Sequence, residues 1–356
     1  MGNASGRGAD FVLPELAPGD RAPDFVLPGR DGKFYAFCER VRGRPVLLWL
    51  GGEGGATALE GLIAAHADLE AVGVDVFVVL KGPPEGLAAV PEDRARIAVA
   101  DVAGKVHEGF RGLLGVPGTG PLGLLLDANQ RLLARLEAHD LRDPAGLAAR
   151  VVAALPPSST ALTLGDSAPV LLLPGVIEPE LCRVLVDLWR TGGHAEGGVE
   201  AVSDGRVEQR VAYGRKRRLD HEIRDESLNR TLARRVLRRV GPEIEKTYQF
   251  VGFRLDRFLI GCYQAERGDY FRPHRDNLAP TTRDRLFALS INLNEGYEGG
   301  AVRFPEYGPH GYRPGAGGAL VFSCSLIHEA LPVTRGERFV LLSFLRDARK
   351  PKATPS

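Results

Sequence analysis

Two histidines, an aspartate and an arginine near the C-terminal end have the types and spacing that metal chemistry needs. His274 and Asp276 stand two apart in GDYFRPHRDN, His328 lies about fifty residues on, and Arg338 follows ten residues later. Residues i and i+2 of an extended segment project to the same side, so a His-x-Asp pair can aim two ligands at one point. A third ligand from a distant strand completes one face of an octahedron and leaves the opposite positions open. That arrangement suits an iron(II) that must bind a cosubstrate and dioxygen together. A His-x-Asp alone arises often by chance, and the plainer alternative is an unrelated buried polar cluster, which must meet the cost of burying charge without a partner. Arg338 opens a strand, where its planar fork could grip a carboxylate bidentately or simply close a salt bridge.

These residues need strands to carry them. From residue 252 onward FRLDRFLIGCYQ, RLFALSINLN, GGAVRF, GGALVFS and RFVLLSFLR are apolar runs separated by Asn, Gly and Pro turns. The pattern is that of an all-β barrel or double-sheet roll. Upstream, PVLLLPGVI predicts a strand and EPELCRVLVDLWRTG an amphipathic helix ending at Gly192, with Leu181, Leu185, Leu188 and Trp189 as core. DESLNRTLARRVLRRVGPEIEKTY predicts a long helix broken or ended at Gly241-Pro242, so that a helical layer covers one face of the strands. Residues 192–223 are rich in Gly and Arg and predict a loop with a strand or hairpin. Their run Arg215-Lys216-Arg217-Arg218 could grip an acidic substrate, but such a run is more often a solvated face. His194 and His221 could at most touch substrate, and His310, on a Gly/Pro loop, is not expected to be a ligand.

YQAERGDYFRPHRDN, INLNEGYEGGAVRF, RPGAGGALVF and HEALPVTRGERF follow one another in order. Through them the stretch 169–347 resembles the prolyl 4-hydroxylase-like family of Fe(II)/2-oxoglutarate-dependent dioxygenases. The resemblance implies a C-terminal double-stranded β-helix (jelly roll) with flanking helices. It makes His274, Asp276 and His328 the iron ligands and puts Arg338 on the distal C5 carboxylate of 2-oxoglutarate, where many relatives have lysine. Tyr263 and Asn292 would line the cosubstrate pocket, with plain packing as the alternative for both. Arg285 matches a substrate-side arginine of some relatives, and Tyr270, beside the His-x-Asp pair, is placed on the substrate side with it. The implied reaction decarboxylates 2-oxoglutarate to succinate and hydroxylates an unactivated C–H bond. The target would be a prolyl or other amino-acid side chain in a peptide or protein, or a small molecule. Fe(II), 2-oxoglutarate and dioxygen would be required, with ascorbate as reductant. Relatives that halogenate have a small residue in place of Asp276, so hydroxylation is the expected outcome.

The first half is of another kind. RPVLLWLGG and VDVFVVL are continuous apolar runs of the type buried in a parallel sheet, separated by the helical ATALEGLIAAHADLEAVG. A short hairpin precedes them, and a strand, a helix, a strand pair turning at Asp127-Ala-Asn129 and a closing helix follow, which makes an α/β layer. With GDRAPDF at its start, this order resembles the peroxiredoxin branch of the thioredoxin fold. That family carries a nucleophilic cysteine at the start of the helix after the first buried strand, where the helix N-terminus lowers its pKa. Here the equivalent position falls near Thr57, and no cysteine lies between Cys38 and Cys182. The domain, residues 1–158, is therefore expected to be redox-inactive and used for packing, dimerisation or partner binding, with 159–356 as the dioxygenase domain. A homodimer through its sheet or helix faces is one arrangement that the resemblance allows. Two other classes compete: a thiol peroxidase or redox protein acting through the first domain, and a non-catalytic scaffold with a relic metal site. His66, His107 and His139 have no ligand-like spacing and are expected at the surface or as caps.

Composition narrows the rest. At 356 residues the chain suggests two domains, and its 46 basic against 45 acidic residues point to neither nucleic acid nor an anionic membrane. Four scattered cysteines form no CxxC or zinc pattern and are expected as reduced thiols in a cytoplasmic protein. No signal-like N-terminus and no apolar run of ~18 residues is expected to engage a membrane.

Overall fold

The computed structural model describes residues 16–350 apart from 42, 94–96, 156–162, 164 and 204–205. Residues 1–15 and most of the Pro-, Ser- and Thr-rich stretch 155–169 lie outside the described residues. The chain forms two compact units, residues 1–160 and 161–356.

In the first unit the run VLLWL becomes Val46–Leu50 (β1), buried at every position, as a strand covered on both faces must be. Asp75–Lys81 (β2) pairs parallel with β1, and Ile97–Asp101 (β3) pairs parallel with β2. Leu122–Leu126 (β4) lies antiparallel on the other side of β1, and Leu132–Leu136 (β5) closes the edge, giving the order β3-β2-β1-β4-β5. Helices Ala56–Ala71 (α1) and Pro144–Ala154 (α3) pack Leu62, Leu69, Leu147 and Val151 against Leu47 and Trp49. Lys105–Leu114 (α2) covers the other face, where Phe110 joins Phe25, Phe37 and Phe77 against Leu48 and Leu50. A central sheet with helices on both faces is the thioredoxin-like layer the sequence predicts.

No cysteine stands at the start of its helix α1. Helix α1 opens at Ala56-Thr57 behind Gly55, which supplies no side-chain cap. Cys38 sits in the turn Phe37–Arg40, where burial and then the Asp24 carboxylate push its thiol up to about 11, the wrong direction for a reactive thiolate. One expectation needs correcting: His107 is not a surface residue. It is buried, and its Nδ1 meets Asp101 Oδ2 at 2.8 Å.

In the second unit the strands come in chain order as Leu171–Leu173 (β6), Lys216–Arg217 (β7), Leu219–Glu222 (β8), Leu259–Gln264 (β9) and Tyr270–His274 (β10). They continue as Arg285–Asn292 (β11), Val302–Arg303 (β12), Ala319–Ser323 (β13), His328–Ala330 (β14) and Glu337–Asp347 (β15). An eight-stranded antiparallel sheet runs β6-β13-β11-β15-β9-β8 and on to Ala195–Glu196, with Phe253–Leu255 beside β15. A five-stranded antiparallel sheet runs β7-β10-β14-β12 and on to Gly311–Tyr312. The helices Pro179–Thr191 (α4), Glu226–Arg239 (α5) and Gly241–Tyr248 (α6) cover the larger sheet; the expected break at Gly241-Pro242 separates α5 from α6.

Strand alternation sorts the larger sheet into two faces. On β15, Phe339, Leu341 and Leu345 pack with Leu185, Trp189, Leu232, Val236 and Ile244 of the helices. Between them Arg338, Val340, Leu342 and Phe344 point the other way and line a cavity whose opposite wall comes from the smaller sheet. Among the described residues no helix is long and apolar enough to cross a membrane.

Candidate functional site

The cavity, about 1190 Å³, is lined from both sheets. His274 ends β10 and His328 begins β14, and the two are direct cross-strand partners, with ring centroids 4.2 Å apart. Asp276 lies just past β10, its backbone N–H donating to the Cys324 carbonyl at 3.0 Å. Its Oδ1 is 3.5 Å from His274 Nε2 and its Oδ2 is 3.3 Å from His328 Nε2. The three ligand atoms lie within 4.8 Å of one another.

The backbone decides how the rings are protonated. His274 Nδ1 meets the Arg272 carbonyl at 2.8 Å and His328 Nδ1 meets the Leu326 carbonyl at 3.1 Å. A carbonyl only accepts, so each Nδ1 carries a proton and each Nε2 is the nitrogen that faces Asp276 and could serve as a metal ligand. Phe271 stacks on His274 at 3.5 Å and Phe322 lies 4.5 Å from His328, fixing the ring planes. Burial would raise the Asp276 carboxyl, but His328 and His274 outweigh it and hold it below its ordinary value. Burial likewise lowers His328 against the opposing pull of Asp276. Two imidazoles and a carboxylate, brought together at the cavity, are a donor set that fits a divalent iron.

The larger sheet supplies the cation that faces this cluster. Arg338 is 2% exposed, and among the described residues no carboxylate pairs with it. Its Nε donates to Asn292 Oδ1 at 3.4 Å, and the Tyr297 hydroxyl donates to the same oxygen at 2.9 Å. A guanidinium buried without an anion is costly, so a bound carboxylate would stabilise this one. Tyr263 lies between two arginines, 5.7 Å from Arg338 and 5.5 Å from Arg218, and its hydroxyl accepts a bond from Arg218 at 3.2 Å. Arg285 also lines the cavity: its guanidinium lies 3.9 Å over the Phe344 ring and donates to the Asp276 carbonyl at 3.4 Å.

Two expected residues stand elsewhere. Asn292 does not line the cavity; it stands behind Arg338 and orients it. Tyr270 also stays off the cavity wall, because its hydroxyl donates to the Tyr213 carbonyl at 2.6 Å.

The basic run at 215–218 is a second correction, since it is not a wholly solvated face. Arg215 and Arg217 are exposed, although Arg215 also touches the cavity, whereas Lys216 and Arg218 are 4% and 6% exposed and line it. Arg218 grips both oxygens of Asp220 and lies across Gly261, where a methyl group would come within 2.9 Å of its Cδ. Strand alternation along 215–218 is the signal that could have found these two. His194 stacks on Trp189 at 3.9 Å and His221 bonds to the Gly193 carbonyl, both at the cavity wall.

Residues 258–346 match the 2OG-Fe(II) oxygenase superfamily. A PKHD-type hydroxylase of Maricaulis maris is 29% identical over 177 residues, covering 47% of this chain and 73% of that protein. The multifunctional procollagen lysine hydroxylase and glycosyltransferase LH3 of Rattus norvegicus is 35% identical over 88 residues, 23% of this chain and only 11% of that much longer protein. Among solved structures, a thiol:disulfide interchange protein, DsbE, from Chlorobium tepidum shares 26% identity with a TM-score of 0.32, over 39% of this chain and 99% of that one. The matched segment holds the His–Asp–His cluster, and the chain is a 2-oxoglutarate-dependent dioxygenase that uses Fe(II).

Proposed function

We propose that His274, Asp276 and His328 hold the iron, that Arg338 binds the distal carboxylate of 2-oxoglutarate, and that the chain hydroxylates an unactivated C–H bond of a substrate entering the cavity. One observation carries this reading: a facial His–Asp–His cluster opens onto a cavity whose other wall holds a buried guanidinium lacking any carboxylate partner among the described residues. In it the two sheets are those of a double-stranded β-helix, and the first unit is a redox-inactive platform for a partner or a second copy.

When bound, iron with 2-oxoglutarate and dioxygen supplies the oxidising power that yields succinate, carbon dioxide and the hydroxylated product. The chain's own residues orient and shield. The Arg272 and Leu326 carbonyls fix the imidazole tautomers. Asn292 holds Arg338 for bidentate binding, and Tyr263 walls the cosubstrate side. Arg285 braces the Asp276 backbone at the edge where substrate approaches. The name of one relative, a procollagen lysine hydroxylase, supports an amino-acid side chain as the target. Ascorbate serves as reductant.

The test is an anaerobic titration of metal-free protein with Fe(II) and then 2-oxoglutarate, following the visible charge-transfer absorption of an iron-bound 2-oxo acid. The band should form and should vanish in His328→Ala, while Asp276→Ala should cut succinate formation by about 100-fold or more. Iron binding without the band, or undiminished succinate from Asp276→Ala, would defeat the assignment.

A further inference from the structure

Eight arginine or lysine side chains line the cavity against five aspartates or glutamates, and the acids are already engaged. Asp276 sits with the imidazoles, Glu222 pairs with Arg257 at 3.3 Å, and Glu196 pairs with Arg267 at 2.6 Å. Asp225 caps α5 by accepting from the Leu228 N–H at 2.7 Å. Asp220 is held by Arg218 through both oxygens. Of the cations, Arg257, Arg275 and Arg285 face Glu222, Glu306 and Asp256 in turn, and Arg338 is left for 2-oxoglutarate, so the buried surplus falls on Lys216 and Arg218, which share the one carboxylate of Asp220.

Lys216 is where that surplus is most sharply placed. It lies on β7, the neighbour of the strand that carries His274, with its backbone opposite Phe271. Its ammonium is 5.5 Å from the Phe271 ring, the same ring that stacks on His274, and it acts electrostatically on Asp276. Two of its three N–H donors go to Asp220 Oδ2 at 3.0 Å and to the Gly198 carbonyl at 3.2 Å. Asp220 is shared with Arg218, so the lysine has only part of a counter-ion. The local chain is built to admit this side chain: a methyl group at Gly197 would come 2.5 Å from Lys216 Nζ. Burial and then the Arg218 charge lower the ammonium to about 8, so it still carries its proton at neutral pH. A solvated lysine needs none of this.

Resting on the oxygenase reading above, we propose that Lys216 is the specificity residue for the primary substrate, and that the substrate carries a carboxylate which this ammonium holds while the reacting carbon faces the iron. A carboxylate suits the site better than a phosphate dianion, because Asp220 stands beside the ammonium and repels a second negative charge. Arg338, on the opposing sheet, remains the anchor for the cosubstrate, so the two anions are sorted to two walls.

Substrate-stimulated succinate formation by the full chain would be measured with paired probes. Free L-proline and L-lysine are set against their carboxamides, and Glu-flanked prolyl and lysyl peptides against Gln-flanked ones. The first pair reads an α-carboxylate and the second a side-chain carboxylate. Only acidic members of one pair should stimulate. Lys216→Met should raise the KM of that probe by about ten- to a hundredfold, and Lys216→Arg should recover most of the loss. Both variants should form the Fe(II)–2-oxoglutarate absorption at wild-type cosubstrate concentration, which shows that they are folded and that Lys216 does not bind the cosubstrate. Equal stimulation by neutral members, stimulation by no probe, or an unchanged KM in Lys216→Met would overturn the proposal and leave the oxygenase assignment standing. Loss of the absorption in wild type would strike at that assignment itself.

Discussion

Arg338 and Lys216 show how differently two buried cations announce themselves. Arg338 opens an apolar strand ten residues after a histidine, so the sequence already offers it as a carboxylate anchor, and the fold adds that no protein carboxylate competes for it among the described residues. Lys216 hides inside four consecutive basic residues, and only the alternate exposure of 215 to 218 reveals that half of them point inward. His107 was hidden for a similar reason: its partner Asp101 is six residues upstream, a distance at which no short motif exists. If Arg338 anchors the cosubstrate as proposed, Arg338→Met should raise the KM for 2-oxoglutarate by about 30-fold or more with little change in Fe(II) affinity. Arg338→Lys, which keeps charge but loses the fork, should fall between the two. A wild-type KM in Arg338→Met, measured by succinate release, would remove it from the cosubstrate site.

At the level of elements, the strands of the second unit were legible as runs, and their pairing was not. FRLDRFLIGCYQ predicts one strand but breaks into Phe253–Leu255 and Leu259–Gln264, because Asp256 turns aside to accept from Arg346 at 2.8 Å. Which sheet each run joins depends on partners up to about a hundred and fifty residues away, as when β6 pairs with β13. No periodicity encodes that. Alternation within a run was readable, and on β15 it separates a helix-facing row from a cavity-facing row. Gly261 on β9 belongs to the second row. Gly261→Ala would push its methyl into Arg218, forcing the guanidinium off Asp220 or the strand outward. The expected cost is about 1–3 kcal/mol, seen as a lower thermal midpoint with the far-UV spectrum retained. An unchanged midpoint would mean that Arg218 has another resting place.

For the molecule as a whole, half-buried acids of the second unit that pair with arginines should decide its behaviour in acid. Burial would raise Asp220 and Asp256, but Arg218 with Lys216, and Arg346, outweigh it and hold both below their ordinary value of 3.8. Glu178 is held below 4.5 in the same way by Arg239 and Arg235. A carboxyl whose native pKa is depressed stabilises fully above its unfolded pKa and loses that contribution as pH falls through the native value. The thermal midpoint of the second unit should therefore be nearly flat from pH 7 to about 5 and drop steeply below about 4. A midpoint that falls steadily from neutrality would place the acid-sensitive groups elsewhere. The two-sheet layout also governs which cosubstrate can react. The proposed iron ligands hang from the five-stranded sheet and Arg338 hangs from the eight-stranded one. On the proposed reading the two sheets act as a caliper, with one jaw at the metal and the other at the guanidinium. A 2-oxo diacid of the wrong length would then reach one jaw and miss the other, so that chain length would be read by the architecture as much as by any single residue.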